Sequence, residues 1–478
     1  MRTKPVRAKT YAQLALDQIP RVLGNLDRNP LSPTYGCFHR GYWLDKTSDF
    51  ADAVRQFSTH ALALVYTHQF PGNIYYQQQK IKDWAVAAML FWSKIQHQDG
   101  SFDEFYPFER GWVGPTAFTT FTTVESFSLL KDKIDNQTQQ KILTAIKKSA
   151  YFIAQGELEA DYLANHHAMA CLSLWKASEL LKDKSLKTAY HQAWKTFLTY
   201  QNEEGWSREY DGVDPGYLSA TVSFLAKIYQ DNQDPEIFQA IKDSVKFSSY
   251  FVYPNGFYAG SLGSRNTLHF YPHGYEIIAK KIPLAAAIAD KLLKSLKENK
   301  LVPPTIISDR YVGYRIPEFL QAYLAAKKRK KALPKLPYEQ KSLSRYFDQA
   351  KIWVKKQGNY YLIANLAKGG VIKVFNIKKQ KLIFNDTGIM AQLTNDKLIT
   401  SQWIDPDYQI DVHKNKWRVT GQLQYVPSHK LFTPLKLVIF RLVLLLIGWQ
   451  PKLAHLLKGQ IRKMLILGQR QSPINFYR

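Results

Sequence analysis

The stretch that decides the fold reads HAMACLSLWKASELLK at residues 167–182 and TAYHQAWKTFLTYQ at residues 188–201, followed by the turn QNEEGWS at residues 201–207. In both runs apolar residues recur at positions i, i+3, i+4 and i+7, which is the spacing of a helix with one buried face. Runs with the same spacing fill most of the chain from about residue 50 to residue 325. The sequence therefore predicts a series of helical hairpins.

Glycine-containing turns interrupt this helical region at a nearly constant interval. They read QHQDGSF, AQGEL, QNEEGWS and YPNGFY, with their glycines at positions 100, 156, 205 and 256. A spacing of about 50 residues fits two helices with two connections, and such a hairpin must stack on its neighbours to bury its apolar face. Long aromatic loops at the same phase of each repeat favour a closed ring with the loops around one mouth. An open solenoid of the same hairpins is the alternative.

The pattern changes after the helical region. Residues 331–345 hold basic residues and prolines, which predicts a linker. Residues 346–430 alternate β-branched and aromatic residues with polar ones, which predicts an antiparallel β domain, and residues 431–478 form a basic amphipathic segment. The predicted fold class is therefore mainly α, with an incomplete (α/α)6-type toroid over residues 1–330 followed by a small antiparallel β domain.

The charge of the chain limits its partners. It carries 65 Lys and Arg against 39 Asp and Glu, a formal net charge of +26. A field of that sign attracts nucleic acids, anionic lipid headgroups or acidic polysaccharides. No nucleic-acid recognition motif is visible, so nucleic acid is not an expected partner. Because aromatic residues reach 14% and offer flat faces for sugar rings as well as core packing, an acidic polysaccharide or oligosaccharide is the expected partner.

Several other classes of protein are not indicated. The two cysteines, Cys37 and Cys171, exclude a disulfide framework. No metal-like spacing and no phosphate-cradling glycine loop are present, so no metal and no cofactor are expected. The N-terminal residues lack an apolar signal core, and residues 437–449 are too short to span a bilayer. We therefore expect a cytoplasmic protein whose C-terminal segment either docks on the β domain or rests on a membrane surface.

Three polar clusters stand at matching phases of successive repeats, where a closed ring would bring them to one cleft. The first is Asn165-His166-His167, the second runs from residue 209 to residue 217, and the third runs from residue 264 to residue 276. From these clusters and the turn before the second, the candidate catalytic residues are Asn165, His166, Tyr217 and His269. The candidate substrate-binding residues are Trp206, His167, Tyr210, Arg265, Asn266 and His273.

The residue types in these clusters suit an acidic sugar. Arg265 can pair with a carboxylate through two hydrogen bonds. Asn165 and His166 can donate hydrogen bonds to the same group. Tyr217 can move a proton if nearby cations raise the acidity of its hydroxyl.

The chain resembles the heparinase II/III-like group of polysaccharide lyases over about residues 35–425. The resemblance rests on the Asn165-His166 helix start, the loop Asp214-Pro215-Gly216-Tyr217 one repeat later, and the order of helical ring before β-sheet. It implies that the Asn and the His neutralise a uronate carboxylate. It further implies that the Tyr removes the C5 proton or returns one to the leaving oxygen, so that β-elimination leaves an unsaturated sugar.

Three features depart from that group. The signal peptide typical of exported lyases is not apparent, and the β region is shorter than the group's large sandwich. Where many members take a further catalytic His from that sandwich, His413 is the obvious strand candidate here.

Two other interpretations stay open. A glycoside hydrolase on the same toroid would need a pair of carboxyl groups across the cleft, and the available carboxyl groups are those of Asp161, Asp211, Asp214 and Glu276. A non-catalytic glycan-binding protein of polysaccharide biosynthesis would fit the short β region and the basic C-terminal segment.

Overall fold

A computed structural model describes residues 4–108, 113–155, 163–329, 332–413, 416–426, 433–448, 450–462 and 470–478. Helices dominate its first two thirds. Their bounds are α1 Lys9–Leu16, α2 Ile19–Asn25, α3 Arg40–Trp43, α4 Ser58–Thr67, α5 Gln79–Lys94, α6 Val113–Leu130, α7 Asn136–Gln155, α8 Ala164–Leu181, α9 Lys184–Leu198, α10 Pro215–Asn232, α11 Pro235–Ser248, α12 Pro272–Ile278, α13 Pro283–Lys297 and α14 Asp309–Ala325.

Alternate helices form a closed inner ring. Helices α4, α6, α8, α10, α12 and α14 contact one another in this order, and α14 returns to contact α4. Helices α5, α7, α9, α11 and α13 lie outside them, and α1 packs on both α13 and α14. The predicted α/α-toroid is confirmed, but within the described residues the ring is closed rather than incomplete. The reason is that α1, which lies outside the repeat pattern, takes the remaining outer place.

The two layers bury different parts of their helices. The inner helix α6 buries most of its residues, and many of these are small: Thr, Ser, Gly and Ala. Small side chains let helices approach one another closely around the axis. The outer helix α11 instead buries one apolar face and leaves its charged residues outside. The regular i, i+3, i+4 spacing in the sequence is thus clearest in the outer helices.

Glycines fix the turns that lead from an outer helix to the next inner helix. Gly100 and Gly205 have positive φ angles of 95° and 96°. A Cβ on either would lie 2.4 Å from a backbone oxygen of the next outer helix, that of Lys148 or Asp243, so only glycine fits there. The turn at residue 156 lies outside the described residues. The loops after these turns meet at the N-terminal ends of the inner helices and form the mouth of the ring.

Two antiparallel sheets follow the ring, and a short hairpin of β1 (Arg208–Glu209) and β2 (Gly212–Val213) lies within it. The first sheet is a meander whose strands neighbour each other in chain order. Its strands are β3 Leu343–Phe347, β4 Ile352–Gln357, β5 Tyr360–Asn365, β6 Val371–Asn376 and β7 Lys381–Asp386.

The second sheet has the order β10-β11-β9-β8, and β12 also pairs with β11. Its strands are β8 Met390–Gln392, β9 Leu398–Thr400, β10 Gln409–His413, β11 Lys416–Tyr425 and β12 Gln471–Tyr477. The predicted antiparallel β region is confirmed. Strand β3 begins inside the stretch predicted as a linker, and β12 lies inside the predicted C-terminal segment. The domain limits themselves stay a prediction.

Hydrogen bonds fasten the first sheet to the ring. Tyr361 Oη donates to the carbonyl of Tyr250 at 2.6 Å, and Asn365 Nδ2 donates to that of Leu262 at 2.8 Å. In the turn after β5, Lys368 Nζ donates to two further carbonyls and one side chain of the ring loop 261–266. The sheet therefore holds one of the loops at the mouth of the ring.

The C-terminal helices are α15 (Pro434–Ile447) and α16 (Pro451–Arg462). Helix α15 contacts loops of the ring: Phe440 packs on Tyr106 at 4.8 Å between ring centroids, and Arg441 pairs with Asp49 at 3.1 Å. Its apolar side chains are largely exposed. Among the described residues no helix is long and apolar enough to cross a membrane. Contact with a membrane surface and a cytoplasmic location stay predictions.

Candidate active site

A cavity of about 210 Å³ opens at the mouth of the ring. Its wall comes from the first turns of α6, α8 and α10, from the loop before α12 and from α14. The polar lining residues are Glu104, Asn165, His166, Tyr217, Thr267, His269, Tyr271, Tyr311, Tyr314 and Arg315. The predicted catalytic set, Asn165, His166, Tyr217 and His269, therefore lines one cavity.

Asn165 is held at the start of α8 by a buried carboxylate. Glu209 Oε1 accepts from the backbone N–H of Asn165 at 2.6 Å, and both Glu209 oxygens lie 2.9 Å from Asn165 Nδ2. This contact satisfies N–H groups that a helix start leaves open. It also fixes the amide orientation, so Asn165 meets a ligand in one defined pose. Beside it, His166 packs edge-on against Phe118 at 5.5 Å.

Tyr217 is positioned by Asp214, which caps α10. Asp214 Oδ1 accepts from the backbone N–H groups of Gly216 and Tyr217 at 3.0 and 3.1 Å. The same carboxylate accepts from the hydroxyl of Thr267 and from the backbone N–H of Arg265. One buried side chain thus joins the helix that carries Tyr217 to the loop of the third cluster.

The electrostatics of Tyr217 differ from the prediction. Burial raises the pKa of its hydroxyl strongly, and the neighbouring Tyr210 and Glu209 raise it further. The expectation that nearby cations make this hydroxyl more acidic is therefore not met. Its proton is retained at neutral pH.

His269 has the opposite shift. Burial, followed by the charge of Arg315, lowers the pKa of its imidazole to about 4. Its Nδ1 is buried without a hydrogen-bond partner among the described residues. The ring is therefore neutral at pH 7, with one nitrogen able to accept a proton.

Arg315 is the main site residue that the sequence reasoning missed. It is 1% exposed, lines the cavity from α14, and donates from Nη2 to the carbonyl of Phe270 at 2.7 Å. Its Cζ lies 4.3 Å from the ring centroid of Tyr271. Nε and Nη1 are buried and have no acceptor among the described residues. A buried guanidinium with open N–H groups is a receptor for an anion.

Aromatic rings form the rest of the wall. Tyr314 lies between Phe57, Phe118 and Tyr271, with centroid distances of 5.1, 5.5 and 5.8 Å. Such rings can pack against the C–H face of a sugar while their hydroxyl groups meet its polar atoms. The sequence YVGYRIPEFL at residues 311–320 holds one Arg and two Tyr. This combination is the signal from which α14 could have been identified as part of the site.

Three predicted binding residues lie away from this cavity. His167 is buried and stacks on Tyr200 at 4.5 Å. His273 is buried, and its pKa is lowered well below the usual value by burial and then by Lys227. Trp206 donates from Nε1 to Glu204 at 3.0 Å. Neither these residues nor His413, which is exposed at the end of β10, contribute to the lining of the cavity.

The other three binding candidates, Tyr210, Arg265 and Asn266, line a smaller pocket next to the cavity. The guanidinium of Arg265 lies 4.2 Å from the ring centroid of Tyr210, and that ring lies 6.4 Å from the ring of Tyr217. The two pockets therefore share the wall formed by these tyrosines.

The carboxyl groups considered for hydrolysis are placed elsewhere or already engaged. Asp214 is the cap described above, and Glu276 is buried in ion pairs with Arg7 and Arg329. Asp211 lies in the smaller pocket, and Asp161 lies outside the described residues. Among the described lining residues of the cavity, the acidic member is Glu104, which pairs with Arg310 at 2.7 Å. The described residues also hold no group of His, Cys, Asp and Glu side chains that could bind a metal ion.

Residues 70–274 match the family model of the ulvan lyase N-terminal domain, a span that includes the four predicted catalytic residues. No curated protein sequence matches the chain.

Three solved structures with a similar fold are polysaccharide lyases. The Streptomyces coelicolor A3 chondroitin AC lyase in complex with chondroitin sulphate has a TM-score of 0.57 at 11% identity, over 89% of this chain and 64% of that chain. Paenibacillus xanthan lyase gives 0.49 at 9% identity, over 88% and 44%. Heparinase III gives 0.44 at 12% identity, over 86% and 70%. This chain thus spans less than two thirds of the chondroitin AC lyase and less than half of the xanthan lyase. Over residues 70–274 the chain is thus similar in sequence to the ulvan lyase N-terminal domain, and its fold is that of the α/α-toroid polysaccharide lyases.

Proposed function

We propose that this protein is a polysaccharide lyase that cleaves an acidic, uronate-containing polysaccharide by β-elimination. The observation that carries the proposal is the buried guanidinium of Arg315, which lines the same cavity as His166 and Tyr217 and whose Nε and Nη1 have no hydrogen-bond partner among the described residues. A carboxylate is the partner that suits such donors, because it accepts two parallel hydrogen bonds and neutralises the charge. The match to an ulvan lyase domain supports the same reaction class.

The reaction follows from placing the uronate carboxylate against Arg315, with His166 beside it. Asn165, whose Nδ2 is held by Glu209, forms the wall next to them. Removal of the proton from C5 moves electrons towards that carboxylate, and donors fixed there stabilise the developing charge. The C5–H bond breaks, a C4–C5 double bond forms, and the C4–O bond to the leaving sugar breaks. The leaving oxygen takes up one proton.

The pKa shifts divide the two proton transfers between two side chains. The hydroxyl of Tyr217 keeps its proton, because burial raises its pKa, and is suited to donate to the leaving oxygen. His269 is neutral at pH 7, because burial lowers its pKa to about 4, which makes it a weak base. It lines the same cavity and its Nδ1 has no hydrogen-bond partner among the described residues, so it can accept the C5 proton. The family resemblance alone assigns both steps to Tyr217, so this assignment makes His269 the base.

The proposal is tested by mixing the protein with a panel of uronate polymers and following the absorbance of new C4–C5 double bonds. The wild-type protein should produce the signal on at least one polymer. Tyr217→Phe should reduce the rate at least about 100-fold, because the proton donor is lost. Tyr360→Phe, at an exposed position on β5, is the matched control and should retain the wild-type rate.

The same experiment separates the other interpretations. New reducing ends without double bonds would indicate hydrolysis. Binding of polymer with neither product would indicate a glycan-binding protein. A polymer whose carboxylates have been reduced to alcohols should not be cleaved, and cleavage of such a polymer would contradict the role of Arg315.

A further inference from the structure

The smaller pocket lies between the ring and the second sheet and has a volume of about 180 Å³. On the ring side, it is lined by residues of the second and third clusters; on the sheet side, it is lined by the loop between β9 and β10. The lining residues are Tyr210, Asp211, Ser264, Arg265, Asn266, Lys368, Gln402, Trp403 and Ile404. It adjoins the central cavity, because Tyr210, which lines this pocket, contacts Tyr217, which lines the cavity. The pocket is therefore a neighbour of the cavity and not a remote site.

The charge of this pocket is positive. Arg265 is exposed and rests its guanidinium on the face of Tyr210. Lys368 is 3% exposed and adds a second positive charge to the lining of the pocket. Asp211 also lines the pocket. Burial raises the pKa of its carboxyl group to about 6, while the charges of Lys368, Arg265 and Arg208 act to lower that pKa. The pocket therefore favours an anionic ligand over a neutral or cationic one.

The two cations have different tasks. Lys368 Nζ donates to the carbonyls of Ser261 at 3.1 Å and Gly263 at 2.6 Å and to Asn266 Oδ1 at 2.6 Å, which uses its three N–H groups. It fixes the loop and supplies charge but no free donor. Arg265 remains to contact a ligand, and its stacking on Tyr210 keeps the guanidinium plane in one orientation.

The far wall of the pocket offers a flat apolar face. Trp403 belongs to a loop that is packed tightly on both sides. A Cβ on Gly212 would lie 2.7 Å from Ile404 Cδ1, and one on Gly369 would lie 2.0 Å from the carbonyl oxygen of Ser401. The buried Asp405 holds the loop further through a hydrogen bond with Gln424. Trp403 therefore lines the pocket from a firmly packed loop, and its indole is the aromatic group on this side that can stack on a sugar ring.

We propose that this pocket is a second sugar subsite, which binds the anionic substituent of the sugar next to the uronate in the central cavity. The substituent is a sulfate ester or a second carboxylate, held by Arg265, and the sugar ring packs on Trp403. This inference rests on the proposed function, since it needs a polymer lying across the central cavity. It narrows the substrate class to polymers with negative charge on successive sugars.

The test measures binding to the Tyr217→Phe protein, in which substrate is not consumed. Three uronate oligosaccharides of equal length serve as probes: one sulfated on the neighbouring sugar, one with a uronate there, and one neutral there. Titration calorimetry should show at least one charged probe binding about tenfold more tightly than the neutral probe, the effect of one charge-assisted contact. Which charged probe binds more tightly distinguishes sulfate from carboxylate.

Arg265→Gln in the same background should abolish this preference and leave binding of the neutral probe unchanged. Arg345→Gln is the matched control, because Arg345 also lies over an aromatic ring, that of Phe347 at 5.3 Å, and lies outside both pockets. Trp403→Ala should weaken all three probes alike. Equal affinity for charged and neutral probes, or a preference that survives Arg265→Gln, would overturn the subsite.

The two proposals can fail separately. If no uronate polymer yields double bonds but the charged probes still depend on Arg265, the lyase function fails and the anionic subsite stands. If double bonds form but Arg265→Gln leaves the preference between charged and neutral probes intact, the subsite fails and the lyase function stands.

Discussion

Two buried cations of the inner ring, Lys227 and Arg315, have opposite surroundings. Lys227 is 4% exposed, donates to Ser223 Oγ at 2.8 Å and pairs with Glu318. Arg315 is 1% exposed, lies one turn before Glu318 on the same helix, and leaves Nε and Nη1 without an acceptor among the described residues. Burying an unpaired charge costs stability, whereas a paired one is neutralised in place. The buried charge of Lys227 is thus neutralised within the ring, whereas Arg315 at the mouth carries a charge that a ligand can neutralise.

The largest expected effect is the loss of stability when the ion pair between Lys227 and Glu318 is broken. Glu318→Leu leaves Lys227 buried without a counter-charge and should lower the free energy of unfolding by about 3–5 kcal/mol. Denaturant unfolding monitored by circular dichroism measures this change. Adding Lys227→Met to the same protein should recover most of the loss. A single substitution with wild-type stability would show that the pair has no structural role.

Substitution of Arg315 should reduce activity and not stability. Arg315→Met should lower kcat/KM on the cleaved polymer by about 100- to 1000-fold, because a preorganised donor to the reacting carboxylate is removed. The free energy of unfolding should stay unchanged or rise, since an unpaired buried charge is removed as well. Steady-state kinetics and denaturant unfolding of the same preparation test both statements. An active but strongly destabilised variant would contradict the assignment of Arg315 to the substrate.

Asp214 should affect both stability and activity. Asp214→Ala removes the cap of α10 and should cost about 0.5–2 kcal/mol of unfolding free energy. It should also lower kcat, because the loop with Thr267 loses its attachment to the helix of Tyr217. Asp234→Ala is the matched control, since Asp234 caps the outer helix α11 in the same way. That control should show a similar loss of stability with kcat unchanged.

The effect that is smallest at neutral pH is that of His60, because it appears only on acidification. His60 faces the paired region, and burial, followed by the charge of Lys227, lowers its pKa to about 3. In the unfolded chain this imidazole binds a proton below about pH 6.5, whereas the folded one does not, so stability falls as the pH decreases from about 6.5 to 3. The contribution is at most about 1.4 kcal/mol per pH unit. Denaturation midpoints at several pH values should show a shallower dependence for His60→Phe, and equal slopes would contradict the prediction.

Much of the ring could be predicted from the sequence, because its repeat is local. The apolar spacing of the outer helices and the glycine turns each depend on a few neighbouring residues. The closure of the ring could not be predicted in the same way. Helix α1 packs on α13 and α14, and no local pattern indicates a contact between segments so far apart in sequence.

The site was predictable where it lies at the starts of inner helices. Asn165, His166 and Tyr217 are the first residues of α8 and α10, so the phase of the repeat alone brings them together. Whether the other residues of these helices reach the cavity depends on their exact position in the helix. His167 follows His166 by one residue, which turns its side chain about 100° around the helix and away from the cavity. Arg315 lies in the second turn of α14, one turn before Glu318, so the sequence alone does not distinguish an ion pair between them from a ligand site at Arg315.

The closure of the ring by α1 has a consequence for folding during synthesis. Arg7 Nη1 bonds Glu276 at 2.9 Å, across 269 residues of chain. The apolar face of α1, formed by Tyr11, Ala12 and Ala15, therefore leaves the ribosome long before the helices that cover it. Contacts of such high sequence separation form slowly, because the entropy of closing a long loop must be lost first. Until the ring closes, this apolar face stays uncovered and accessible to chaperones or to aggregation.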